Sequence, residues 1–171
     1  MNFIPDALVT NIIRLVGRQG FWYRGPFIVA GPWFQRQAFT SEVLADVDLD
    51  DFIFNSRLGR ETSIYRPFLL KCAAEGHPTA RYIKSLCQLT QLGPTQVRLD
   101  ILVEVCTSSI YVTFALAMML ICCGCYDQGV YVTNAFFRRV ETLQDRVDIA
   151  NVVERQIKDI GVGGQNLFER F

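Results

Sequence analysis

The chain has 171 residues, half of them hydrophobic, which suffices for one sizeable core or a small domain joined to a second unit, and excludes an intrinsically disordered chain. Seventeen basic residues balance seventeen acidic ones, so the positive field on which a polynucleotide binder or a membrane-surface protein relies is missing, and no nucleic-acid partner is expected. Six cysteines lie scattered through apolar segments, and the N-terminus has neither a basic region nor an apolar run ending in small residues. Both features predict buried thiols in a reducing compartment, nucleus or cytoplasm.

Pro5 and Asp6 open the first element, since proline's fixed φ and a carboxylate both suit the first turn of a helix. Leu8, Ile12, Leu15 and Val16 recur on one helical face, and Gly17 and Gly20 end the helix. A stretch rich in glycine and aromatics follows, with Phe27 to Ala30, Trp33, Phe34, Phe39 and Leu44 as its apolar residues. Two or three short helices of this kind cannot bury their own faces and must pack on one another or on a partner.

The order of these elements resembles the F box, the three-helix module by which substrate receptors dock on the Skp-type adaptor of SCF cullin-RING ubiquitin ligases. The resemblance rests on Ile4-Pro5, Leu8, Ile12, the spacing from Val29 to Trp33, and the closing Thr40-Ser-Glu-Val-Leu44. It implies an adaptor-binding set of Ile4, Pro5, Leu8, Ile12, Val16, Val29 and Trp33. Pro32 falls inside the Val29 to Trp33 element, where it either starts a helical turn or breaks one. The overall layout is similar to plant F-box proteins with tetratricopeptide-like or Sel-type repeats.

Residues 47–59, VDLDDFIFNSRLG, alternate apolar and acidic side chains and read as a connection, with the linker placed at 51–62 after a module at 1–50. Beyond it Tyr65, Phe68, Leu69 and Cys72 share one helical face, Gly76 offers a C-cap, and Pro78 opens a helix lined by Ala80, Ile83 and Cys87. The junction KCAAEGHPTARY resembles that of Sel-type repeats, where small residues let two helices approach. A second copy is displaced by 34 residues at Cys106 and by 35 at Ala115, the period of tetratricopeptide-class repeats. Its first helix would carry Val97, Ile101, Leu102 and Val105, and its corner at Thr107-Ser-Ser-Ile110 is expected to be looser than Gly76-His-Pro78. A helix from about Gln128 to Thr142 offers Val132, Ala135, Phe136 and Val140. The last helix, Leu143 to Ile160, presents Ile149, Val152, Val153, Ile157 and Ile160 on one face and reads as a cap. The repeats thus span 63–161. A flexible tail is expected at 162–171, with Leu167, Phe168 and Phe171 able to dock.

No residue from Val105 to Tyr126 carries a charge. A membrane span needs about 20 apolar residues, a length this run only just reaches. Its nearest charges are acidic, Asp100 and Glu104 before it and Asp127 after it, and the first basic residues downstream are Arg138 and Arg139. Membrane helices normally carry Lys or Arg close to one end. The run is therefore expected to be a buried central helix with Ala115, Ala117 and Gly124 allowing close approach. Were the array to end early, its open face would favour a homodimer or a hydrophobic client.

Cys122, Cys123 and Cys125 suggest a metal cluster, yet a structural zinc site needs a second ligand pair and the chain has one histidine, His77. No catalytic residue, cofactor or metal is expected: no cysteine has an evident activating base, and GVGGQN lacks the flanking strand and helix of a phosphate loop. The sequence is thus read as an all-α protein, an F-box-like module followed by tetratricopeptide-like hairpins. The resemblance implies the substrate-receptor subunit of a ubiquitin ligase, binding a Skp-type adaptor and a protein client. The alternative is a stand-alone or self-associating helical interaction module, a decoy or inhibitor.

Overall fold

The computed structural model describes residues 4–160, and among these every regular element is helical, with no strand. Helix α1 (Asp6–Gly17) begins at Pro5, as the proline and the following aspartate dictate, and Gly17 closes it. A 3₁₀ turn at Phe21–Arg24 leads into α2 (Gly25–Val29), α3 (Pro32–Ala38) and α4 (Ser41–Asp46). Pro32 starts α3 rather than breaking it: Gly31, at φ 136°, makes the bend that an L side chain resists, and the proline takes the first helical position. The N-terminal unit therefore has four short α-helices and a 3₁₀ turn where three helices were expected. Val9, Ile13, Ala38 and Val43 form its own small core.

The segment read as a linker is folded. Its residues form α5 (Asp50–Phe54) and a 3₁₀ turn at Ser56–Gly59, and Phe52, Ile53 and Leu58 are buried in the main core. The apolar and acidic alternation has a local cause: Asp50 and Asp51 occupy the first turn of α5, where the helix dipole favours carboxylates, and Phe52 and Ile53 turn inward while Phe54 stays exposed.

Two helix pairs follow, α6 (Arg66–Ala74) with α7 (Pro78–Leu92) and α8 (Gln96–Val105) with α9 (Ile110–Cys122), then α10 (Tyr126–Arg139) and α11 (Leu143–Asp159). Leu69, Cys72, Ala80, Ile83 and Cys87 are buried as their spacing predicts. Val97 is not: it is exposed, because α8 turns Leu99, Leu102 and Val105 inward and Val97 falls outside that arc. Nor is the Thr107 to Ile110 corner loose. Ser108 donates its hydroxyl to the Val105 carbonyl at 2.6 Å, Thr113 donates to the Cys106 carbonyl at 2.6 Å, and the Ser109 hydroxyl caps α9.

Helix α9 is the buried centre, packed by α8, α10 and α11. With 13 residues it is about 20 Å long, well short of a bilayer's hydrocarbon core of about 30 Å. Among the described residues no helix is long and apolar enough to cross a membrane. Close approach of α10 depends on Gly129, where an added Cβ would lie 2.6 Å from Ile121 Cγ1 and 3.3 Å from the Ala117 carbonyl oxygen. Gly124 serves instead in the turn, at φ 81°.

Helix α11 is not an end cap on the last hairpin. It returns across the molecule to pack on α9, α7, α5 and the turn at Ser56–Gly59. Buried Gln156 explains the return: its Nε2 donates to the Ile53 carbonyl at 2.6 Å and its Oε1 accepts from the Tyr82 hydroxyl. Arg60 Nε donates to the Asp159 carbonyl at 2.8 Å and closes the same seam. One apolar cluster consequently runs from Phe21 to Ile160, across what the sequence divides into separate units. The tail from residue 161, including Leu167, Phe168 and Phe171, lies outside the described residues.

Candidate docking surface

Helix α1 carries apolar residues on two sides. Val9 and Ile13 point into the small N-terminal core, whereas Leu8, Ile12 and Leu15 form a second stripe on the outside, continued by Ile4 just before the helix. These four remain 51%, 43%, 48% and 54% exposed, although large aliphatic side chains normally find cover. The inner side is fixed by more than packing. Thr10 Oγ1 donates to Gln37 Oε1 at 2.6 Å, Gln37 Nε2 donates to Asp6 Oδ2 at 3.3 Å, and Arg18 pairs with Asp46 at 2.6 Å. Because α1 cannot roll without breaking these bonds, the outer stripe is held outward.

Of the seven residues that the F-box resemblance selects, Ile4, Pro5, Leu8 and Ile12 lie together on or beside this stripe and are exposed. Val29, at the end of α2, is the most open of the set at 83%. Val16 sits half-buried at the edge of the inner face. Trp33 is half-buried too: it packs on the small core with its ring edge-on to Phe34 at 4.8 Å, so it supports the module from within. The Gly31 bend places Val29 and Trp33 on different helices.

Sequence reasoning left Leu15 out of the set although its spacing puts it on the stripe. It also passed over a second apolar surface, formed by Val130 and Tyr131 of α10 with Val103 of α8, beside a groove of about 500 Å³. The signal was present in the consecutive apolar run Val130-Tyr131-Val132, which no single helical face can hide.

His77 ties the N-terminal unit to the α6–α7 hairpin. Its Nδ1 accepts the Ala80 N–H at 3.4 Å, capping α7, and its Nε2 lies 2.7 Å from the Val47 carbonyl oxygen. That pairing requires the neutral ring with the proton on Nε2, in keeping with burial, which holds the imidazole below its usual pKa against the opposing pull of the Val47 carbonyl and of Asp48, Asp46 and Asp50. Burial pushes the Cys72 thiol up to about 12 and also raises Cys87, Cys122 and Cys123, which leaves all four as neutral thiols and weak nucleophiles. Among the described residues no group of three or more His, Cys, Asp or Glu side chains gathers to hold a metal. What the arrangement offers is two exposed apolar surfaces on one helical frame.

No family model, curated protein or solved structure matches this chain.

Proposed function

We propose that the protein is a non-catalytic docking subunit, an F-box-like substrate receptor that binds a Skp-type adaptor through α1 and a protein client through the surface of the later helices. The observation that carries this reading is the outward stripe of Ile4, Leu8, Ile12 and Leu15, a hydrophobic row with no internal partner among the described residues, on a helix whose other side is already packed. Hydrophobic rows at i, i+4 and i+7 spacing are how a helix enters a partner's groove. The order of the F-box-like elements supports the choice of adaptor, and the groove between α8 and α10 supplies a separate place for a client. Such a receptor acts by holding its client near the ligase-bound conjugating enzyme and so raising the local concentration of client lysines.

The test is co-purification of the full chain with a plant Skp-type adaptor, beside the Leu8→Asp, Ile12→Asp double variant. Retention by the wild type and loss by a variant with unchanged circular dichroism is the expected result. No retention of the wild type overturns the receptor reading. A second reading, a self-associating helical module, is favoured by the second apolar surface at Val130 and Tyr131. It predicts a concentration-dependent dimer in sedimentation equilibrium without any adaptor.

A further inference from the structure

Arg24 has the largest fully buried side chain among the described residues, 1% exposed, at the seam where the N-terminal unit meets α6. None of its three guanidinium nitrogens reaches an acceptor among the described residues. Its Cζ lies 4.8 Å from the ring centroid of Phe68 and 5.5 Å from that of Phe39, so two aromatic faces offset part of the lost hydration. They satisfy none of the five N–H donors that a guanidinium carries. Among the described residues no carboxylate supplies a counter-charge; the ionisable group that acts on it is Cys72, whose thiol burial keeps neutral. Burial lowers the Arg24 pKa only to about 10, which leaves it cationic at neutral pH.

A buried, charged and unpaired guanidinium is costly, and proteins rarely keep one without a partner. The surroundings give that partner a place. Arg24 borders a cavity of about 180 Å³ whose other walls include Phe21, Trp22, Phe39, Tyr65 and Phe68. At about 30 Å³ of liquid per water, this is the room of about six waters, enough for a small organic molecule. The mouth is formed by Trp22 and Ile64, both exposed, and Trp22 is steadied there by its Nε1–H donating to Asp51 Oδ2 at 2.6 Å. Lys71, its ammonium 4.4 Å from the Phe39 ring centroid, adds a second positive charge to the same seam. Beneath the arginine stem the chain is bare: a Cβ at Gly17 would come 3.2 Å from Arg24 Cδ.

We propose that this cavity is a ligand site for a small monocarboxylate with an apolar body, its body packed on the aromatic walls and its carboxylate paired with Arg24, whose guanidinium nitrogens are closed off from the cavity in the ligand-free protein and are reached by a shift of the Phe39 and Phe68 rings. A guanidinium is the side chain whose donor geometry matches a carboxylate in a bidentate pair, and an apolar lining rejects multiply charged anions. The site is separate from the α1 stripe, so it stands or falls independently of the adaptor reading. Because its walls come from both the N-terminal unit and α6, ligand binding would brace the two against each other.

The experiment is isothermal titration of the full chain with benzoate, with benzamide as the uncharged isostere and inorganic phosphate as a bare anion, repeated on Arg24→Met. Expected are saturable benzoate binding, benzamide weaker by at least about tenfold, and no benzoate binding by the variant. The ligand-free variant should also melt no lower than the wild type, since methionine removes an unpaired buried charge while keeping the volume. Absence of benzoate binding, equal binding of benzamide, or phosphate binding more tightly than benzoate would each overturn the proposal. Retained binding in Arg24→Met does the same, and if that variant fails to fold, the benzoate, benzamide and phosphate comparison on the wild type decides alone.

Discussion

Helices α1 and α9 are both strongly apolar, yet one shows half of its hydrophobic residues to solvent and the other leaves only Cys122 exposed. Helix α9 is packed by α8, α10 and α11, and the close approach of α10 is allowed by Gly129, so apolarity on most sides is what its position demands. Helix α1 packs on α3, α4 and the Phe21–Arg24 turn, all from one direction. Among the described residues, nothing covers its second apolar row. The same composition means structure where neighbours surround a helix, and an open surface where they do not.

Four substitutions and one titration would break or sharpen that contrast. The largest effect is expected at Leu116→Ala in the middle of α9, where 2% exposure leaves a cavity that neighbours on all sides cannot collapse. Urea unfolding should show a loss of about 2–5 kcal/mol. Gly129→Ala forces a methyl against Ile121 and the Ala117 carbonyl; pushing α10 from α9 should cost about 1–3 kcal/mol in the same assay. Tyr82→Phe leaves Gln156 Oε1 without its donor in a dry site, a loss of about 1–3 kcal/mol, which would show how firmly α11 closes the frame.

The titration concerns His77. Its folded pKa lies below the ordinary value of 6.5, so between the two values the unfolded chain binds more protons than the folded one. The stability this contributes is fully present above about pH 6.5 and is lost as pH falls through the depressed folded value. The melting temperature should therefore drop on acidification from pH 7.5 to 5.5, and His77→Gln should flatten that slope. Asp50, whose pKa is raised by burial and by Asp48 and Asp51, acts with the opposite sign and only as pH rises from its ordinary value of 3.8 through the raised one. The smallest effect on stability belongs to Leu8→Asp on α1, within about 0.5 kcal/mol of wild type, because that side chain touches little of the core. A loss there as large as that of Leu116→Ala would mean that the outer stripe is structural and that the contrast between the two helices is false.

Much of the local structure was legible. Pro32 and Pro78 each open a helix and Pro5 stands as the cap just before α1, Gly17 and Gly76 mark ends, and the 3.6-residue spacing of Leu69, Cys72, Ile83 and Cys87 picks out core positions. These features depend on φ preferences and on contacts within a few residues, which the sequence states directly. The docking stripe was half legible: spacing collected Leu8, Ile12 and Leu15 on one face, but spacing does not say whether a face turns in or out. Val9 and Ile13, a rival face on the same helix, took the core.

Sequence alone determined an all-helical chain, the positions of most helix starts and the apolar character of α1 and α9. Only the tertiary structure decided that Phe52, Ile53 and Leu58, within residues 51–62, are buried rather than part of an open linker, that α11 folds back across the centre, and that Arg24 is enclosed among aromatic rings with no counter-ion among the described residues. The physical reason is range. Capping and periodicity act over a turn or two of helix, whereas Gln156 meeting Ile53 and Arg24 meeting Phe68 join residues 103 and 44 positions apart. Such pairs form only because the packed core has brought those backbones together.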